Sequence, residues 1–192
     1  MELQKIAVKV FTAEPNVVPL PDFIDIFHRW IQASEGVYHD VADYSHMQSG
    51  PGIVLVASEA NVSIDETGNR RGLLYSQKSN LSGSNLEKLS TVVRSALANC
   101  CRLEEEPTLG SKLKFSGHQI EITINDRLVA SNNSEAFEKL RPEIDFLARR
   151  LYATTNFMMI RNQEDPRHRL NVTLSTPLAL EARTLLNNLQ TI

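Results

Sequence analysis

The chain has 192 residues, of which 42% are apolar and 22% charged, as in a typical folded globular protein. This length fits one domain or two small ones and is enough to bury a core. The formal net charge of −3 argues against nucleic acid or an anionic membrane as the main partner, because such binding needs dense lysine and arginine.

The sequence predicts a cytoplasmic protein. Residues 1–5 lead directly into a strand pattern, without the basic and apolar regions of a secretory signal. The longest apolar run, Ile53 to Ala57, is far shorter than the roughly 20 residues of a membrane-spanning helix. Cys100 and Cys101 are adjacent, which argues against a disulfide framework and fits a reducing compartment.

The first half of the chain begins with a strand and a helix. Residues 5–11 alternate with the period of a strand that has one buried face. Residues 22–33 carry apolar side chains over a broad arc of a helix that ends at Gly36. Residues 37–44 fit a strand or a helix, and their β-branched and aromatic content favours the strand. Residues 53–57 predict a buried strand.

A hairpin and a long helix complete the first half. Residues 61–65 and 72–77 have strand patterns on either side of a polar turn. Ser84 and Glu87 have the spacing of a capping box, in which the hydroxyl accepts from the glutamate amide and the carboxylate reaches back. The helix that they begin is expected to extend to about Arg102.

The clearest linker is the segment 104–111. It begins with three glutamates followed by Pro107, which breaks the helical pattern. It divides the chain into an N-terminal half, residues 1–103, and a C-terminal half, residues 112–192.

The second half begins with an expected hairpin and helix. Residues 112–124 predict two strands joined by a turn at Ser116-Gly117. Residues 134–152 predict a helix that Pro142 either kinks or divides in two.

Two strands and a final helix are expected to follow. The strands are predicted at residues 156–160 and 170–174. Thr176-Pro177 matches a capping hydroxyl followed by proline at the first helical position, so the helix is expected to start there, with Leu178 in its buried stripe.

The order of elements predicts an α+β fold. Both halves contain one or more strands, a helix, a hairpin and a helix, although their residues barely match. We therefore predict two ferredoxin-like βαββα-type halves, related by internal duplication, that form one compact body. The alternative is a single mixed sheet with helices on one face.

Several short motifs in the first half resemble those of a bacterial protein family. They are Asp40-Val41-Ala42-Asp43-Tyr44 with His46, Gly50-Pro51-Gly52, Glu59-Ala60 and Gly72-Leu73-Leu74-Tyr75, preceded by His28-Arg29-Trp30-Ile31-Gln32. The resemblance covers mainly residues 5–78 and, more weakly, 120–152. The family is one without an assigned activity, so the resemblance implies no catalytic residues.

The polar residues around the apolar strand 53–57 are the candidate ligand site. Tyr38, Asp43, His46, Glu59 and Arg70 are its candidate residues, expected at the rim of a hollow formed by the sheet. Asp43 and Glu59 are suited to acid–base chemistry if burial raises the pKa of either carboxyl. The plainer interpretation is that these carboxylates form structural ion pairs with arginine.

A metal site at His39, Asp43 and His46 is a weaker hypothesis. Imidazole and carboxylate are ligands for zinc, iron or manganese. On a helix the three side chains share one side, but on a strand four residues separate side chains by about 13 Å, too far to share one ion. Because we favour the strand, we expect no metal and no cofactor.

Two other sets of residues are candidates for catalysis or anion binding. Ser45 next to His46, and Ser58 next to Glu59, are nucleophile–base candidates, although neighbours on a strand point to opposite faces. Arginines lie at the tips of both hairpins, at Arg70-Arg71 and at Arg167-His168-Arg169, where they would form an anion site, a subunit contact or merely solvated turns.

We therefore expect a non-enzymatic module that binds a small ligand or a partner subunit in a cleft beside residues 38–59. A homodimer is expected, because open sheets leave edges that a second copy can cover. One alternative is a small hydrolase or metal-dependent enzyme that uses Asp43, His46, His39 and Glu59. Another is an assembly component in which these groups are structural.

Overall fold

The computed structural model describes residues 1–14, 17–47, 50–162 and 165–190, which form a mixed α+β fold. The strands are β1 (Ile6–Thr12), β2 (Tyr38–Tyr44), β3 (Gly52–Ala57), β4 (Ala60–Asp65), β5 (Gly72–Gln77), β6 (Phe115–Ile124), β7 (Met158–Asn162) and β8 (Leu170–Ser175). The α-helices are α1 (Leu20–Ala33), α2 (Asn85–Glu104), α3 (Ser134–Tyr152) and α4 (Ala182–Gln190), and a short 3₁₀ turn spans Thr67–Asn69. None of the described helices is long and apolar enough to cross a membrane.

The strands form one antiparallel sheet in the order β2-β3-β4-β5-β1-β6-β8-β7. The first strand of the chain, β1, lies inside the sheet and pairs with β5 on one side and β6 on the other. Strands from both sides of the segment 104–111 therefore share one sheet. The α+β class is confirmed, but five strands come from the first half and three from the second, and a ferredoxin-like duplication is not confirmed.

One face of the sheet is covered by the helices. Alternate residues of the strands join a single apolar cluster with side chains from all four α-helices. In α1, Phe23, Ile26, Phe27 and Trp30 are buried at the spacing of one helical face. α2 begins with the predicted capping box, because Ser84 accepts from the amide of Glu87 and the Glu87 carboxylate reaches back to Ser84.

The other face, here called the open face, carries mostly small and polar side chains. One row across it contains Asn162, Asn171 and Thr123 on β7, β8 and β6. Asn162 Nδ2 donates to Asn171 Oδ1 at 2.5 Å, and Asn171 Nδ2 donates to Thr123 Oγ1 at 2.6 Å. The alternation along each strand thus separates an apolar face from a hydrogen-bonded one.

A buried ion pair lies on the open face. Lys9 Nζ is 2.5 Å from Asp65 Oδ1, and the two side chains are only 7% and 3% exposed. The 3₁₀ turn covers the pair, since Lys9 also donates to the Thr67 carbonyl at 3.0 Å and the Thr67 hydroxyl donates to Asp65 Oδ2 at 2.8 Å. Its polar atoms are therefore satisfied by the protein rather than by water.

The ambiguous segments of the sequence are resolved by the structure. Residues 38–44 form strand β2, which confirms the strand interpretation. α3 continues from Ser134 to Tyr152 with Pro142 inside it, so the helix is not divided.

Two local predictions are wrong. Phe115–Ile124 is one strand rather than part of a hairpin, and Gly117 lies against the main chain of Leu180, whose carbonyl accepts from its amide at 2.7 Å. The last helix begins at Ala182 rather than at Thr176, and the Thr176 hydroxyl donates to the carbonyl of Asn156 while it accepts from the amide of Leu178 in a turn. Leu178 is consequently 41% exposed.

The buried pair predicts a large stability effect of a small substitution. Asp65→Asn leaves the Lys9 ammonium buried without a counter-charge, and we expect the free energy of unfolding to fall by about 3 kcal/mol. Urea denaturation measures the change. The matched control is Asp145→Asn, which breaks an exposed pair with Arg149 and should cost about 0.5 kcal/mol or less. Equal effects of the two substitutions would contradict the role given to the buried pair.

Candidate functional site

The five candidate ligand residues do not form one site. Tyr38 and Glu59 line a crevice on the helix-covered side of the sheet. Arg70 lines a different cavity, on the open face. Asp43 lies at the other end of β2, about 16 Å from Tyr38 at the rise of an extended strand, and His46 follows just after the strand ends. Only Tyr38 and Glu59 are brought together.

The crevice arises because two helices cover different strands. α1 packs over β2 and β3, whereas α2 packs over β5 and β1. A gap of about 550 Å³ remains over one end of β4. It is lined by Gly36, Val37, Tyr38, Ala57, Ser58, Glu59, Ala60, Val62, Tyr75, Ser95, Ala98 and Asn99. The volume lies within the range of known small-molecule pockets, and the lining combines small apolar walls with a few polar groups.

A stack of side chains fixes the position of Tyr38. The guanidinium carbon of Arg102 lies 3.7 Å from the ring centroid of Trp30, and Arg102 Nη1 donates to the Tyr38 hydroxyl at 3.1 Å. Trp30 Nε1 in turn donates to Glu106 Oε1 at 2.5 Å. Arg102 therefore holds the aromatic wall of the crevice by a cation–π contact and a hydrogen bond.

Tyr75 supplies a second phenol. Burial raises the pKa of Tyr75, and the charges of Glu59 and Tyr38 raise it further, whereas a hydrogen bond with Ser95 lowers it. Because an unperturbed phenol already titrates near pH 10, this hydroxyl stays protonated at physiological pH. It therefore offers the crevice a neutral hydrogen-bonding group.

Glu59 is the one charged residue among those that line the crevice. Its main-chain carbonyl accepts from the amides of Lys78 and Ser79 at 2.7 and 3.0 Å, which fixes the turn between β3 and β4. Within the described ranges, no hydrogen bond or ion pair holds its carboxylate, which is exposed. The carboxylate is thus available to a ligand.

His39 contacts the only hydroxyl group on that turn. A bulge in β2 displaces His39 from the regular pairing, and its Nε2 lies 2.5 Å from Ser58 Oγ. This is a nucleophile–base contact that the sequence did not predict, because Ser58 was considered with Glu59. In the part of the chain that the structure describes, no third residue orients His39, and both side chains are exposed.

The metal candidates are not gathered. Asp43 Oδ1 accepts from the amide of Ser45 at 2.8 Å in a turn, and hydrogen bonds with the side chain and main chain of Ser45 lower the pKa of Asp43. His39 lies on the same strand, four residues away. Among the residues that the structure describes, no three or more His, Cys, Asp or Glu side chains are arranged to hold a metal ion.

Sequence reasoning missed the contribution of α2. Ser95 and Asn99 are one helical turn apart, and Asn99 Nδ2 donates to the Ser95 carbonyl at 2.9 Å. Their spacing was visible in the sequence, but their position opposite Tyr38 depends on how α2 crosses the sheet. Tyr75 was part of a quoted motif without an assigned role.

Comparison of the chain with protein-family models, curated proteins and solved structures found no match.

Proposed function

We propose that this protein is a non-enzymatic module that binds a small organic molecule in the crevice between α2 and the sheet. The observation that supports this most is the crevice itself, in which Tyr38 and Glu59 meet Tyr75 and α2 in a ligand-sized gap. The Arg102 stack fixes one wall before binding, which reduces the entropy that a ligand must overcome.

The lining indicates the chemistry of the ligand. The carboxylate of Glu59 faces no opposite charge among the lining residues, and two phenol rings lie nearby. A carboxylate beside aromatic rings favours an organic ammonium group, by charge and by cation–π attraction. The small apolar walls at Ala57, Ala60 and Val62 suit a compact hydrocarbon part.

We also propose that the module is a homodimer. β7 is the last strand of the sheet and pairs only with β8 among the described strands. Met158 and Ile160 on this strand are 62% and 50% exposed. An edge strand that exposes large apolar side chains is a typical surface for pairing with a second copy.

A second candidate function is hydrolysis of a small ester, and the contact between His39 and Ser58 favours it. A histidine within hydrogen-bond reach of a serine hydroxyl can accept its proton as the oxygen attacks a carbonyl. Ser58 also lines the crevice, where a substrate would be held.

Binding in the crevice is tested by titrating choline and short primary alkylamines in a calorimeter at low ionic strength. Removal of the charge by Glu59→Gln should weaken the binding of the primary alkylamines about tenfold, because a hydrogen bond to a charged group contributes about 1.5–3 kcal/mol. Ala98→Phe should abolish binding by filling the gap. Asp43→Asn and Glu138→Gln, which alter carboxylates outside the crevice, are the controls. Failure of the unmodified protein to bind any of these probes would contradict the cation-binding proposal.

The dimer is tested by light scattering coupled to gel filtration. Ile160→Lys places a charge on the edge strand and should convert the dimer to a monomer. The control is Leu128→Lys, at a loop side chain that is 99% exposed. An unmodified protein that is monomeric at high concentration would contradict the proposal.

Ester hydrolysis is tested with p-nitrophenyl acetate. If Ser58 is a nucleophile, Ser58→Ala and His39→Ala should each reduce the rate to the background of buffer, whereas Ser82→Ala at an exposed loop should not. A rate that these substitutions leave unchanged would exclude this candidate.

A further inference from the structure

The open face carries a second cavity, of about 850 Å³, here called the basic cavity. Its floor includes side chains of β1, β6 and β8, among them Phe11, Glu121 and Asn171. The 3₁₀ turn and Arg70 lie on one side, and the tip of the β7–β8 hairpin lies on the other. The arginine-bearing tips of the two hairpins therefore border the same hollow.

Positive charge is concentrated there in a chain of net negative charge. Arg70, Arg127, Arg167 and Arg169 line the basic cavity together with His168, against the single lining carboxylate of Glu121. Low-dielectric walls around charges of one sign strengthen the local potential. The charge lining the cavity thus has the opposite sign to the net charge of the chain and favours an anionic ligand there.

Two of the four arginines are held in place by neutral groups. The guanidinium carbon of Arg70 lies 3.7 Å from the ring centroid of Phe11, and Arg70 Nη2 donates to Gln119 Oε1 at 2.9 Å. Arg127 Nη1 donates to the main-chain carbonyl of Arg167 at 2.6 Å. None of these three contacts neutralises a guanidinium charge, and each limits the rotamers that a ligand would otherwise have to fix.

The remaining two arginines differ. Arg167 is paired with Asp165 at 2.5 Å, so its charge is compensated. Within the described residues, the Arg169 guanidinium has no hydrogen bond or ion pair, and it is exposed. Arg127 and Arg169 are therefore the guanidinium groups most available to a ligand, with Arg70 facing them.

The floor supplies groups for uncharged parts of a ligand. The Asn162–Asn171–Thr123 row presents amides and a hydroxyl, and Glu121 presents a carboxylate acceptor. Glu121 would repel an anion but would accept hydrogen bonds from hydroxyl groups. A ligand that places an anionic group at the arginines and hydroxyl groups over the floor would satisfy both the guanidinium charges and the acceptors of the floor.

We infer that the basic cavity binds a small polyol that carries a phosphate or carboxylate group. Arginine forks match both anions by paired hydrogen bonds. The site is separate from the crevice, since the sheet lies between them, and the inference does not depend on the function proposed above.

The test is calorimetric titration of the 192-residue chain, at low ionic strength, with glucose 6-phosphate, gluconate, inorganic phosphate and glucose. We expect glucose 6-phosphate or gluconate to bind at least tenfold more tightly than glucose, and the better of the two identifies the anion. Arg169→Gln and Arg127→Gln should each weaken that binding about tenfold or more. Arg141→Gln is the matched control, because Arg141 lies on α3 in an exposed pair with Glu138.

The floor has its own test. Glu121→Gln should strengthen the binding of inorganic phosphate, because it removes a like charge. The same substitution should reduce the ratio of the affinity for the polyol anion to the affinity for inorganic phosphate, because the floor loses a carboxylate acceptor for hydroxyl groups. Absence of binding by every anion, or equal affinity of the Arg169→Gln variant, would overturn the inference. Equal affinity for inorganic phosphate and glucose 6-phosphate would overturn the polyol part. None of the substituted residues Arg127, Arg169 and Glu121 lines the crevice, so amine binding in the crevice should be unchanged in these variants.

Discussion

Every strand sends alternate side chains to opposite faces of one sheet, and helices cover only one of these faces. This constraint determines the rest of the molecule. The covered face must be apolar, and its strands supply Val8, Leu55 and Ile122 to a single core. The open face must tolerate water, so it carries amides, hydroxyls and a buried ion pair whose hydrogen bonds are satisfied locally. The crevice and the basic cavity lie on different sides because of this division, and their opposite charges are kept apart by the sheet.

Local patterns predicted most of the elements because their causes are local. The capping box at Ser84 and the apolar arc of α1 are properties of neighbouring residues, and both are confirmed. The two errors have distant causes. Gly117 was interpreted as a turn residue, but a Cβ there would lie 2.6 Å from the carbonyl oxygen of Leu180, so a glycine is needed for close packing inside a strand. Thr176 was interpreted as a helix cap, but its hydroxyl joins the chain to Asn156, twenty residues earlier, and the helix starts only at Ala182.

The candidate site was predicted in part for the same reason. Tyr38 and Glu59 are near each other because β2 pairs with β3, which places Tyr38 opposite Ala57 and close to the turn that carries Glu59. The sequence predicted both strands and both residues but not this pairing. Asp43 and His46 are close to Tyr38 along the chain, but an extended strand carries them away from it. The partners that complete the crevice, Ser95 and Asn99, come from α2. No pattern within α2 predicts which part of the sheet the helix crosses, so the position of Ser95 and Asn99 beside the crevice could be found only from the structure.

The interior position of β1 also determines how the chain must fold. β1 is synthesised before both strands with which it pairs, and six of its seven residues are buried in the folded protein. Its two neighbours, β5 and β6, follow only after α1, three other strands and, for β6, α2. Closing such long loops before any pairing energy is gained slows folding, and it leaves an apolar strand unpaired during synthesis. The strand that joins the two halves of the sheet is therefore also a segment exposed to aggregation until β5 and β6 have been synthesised.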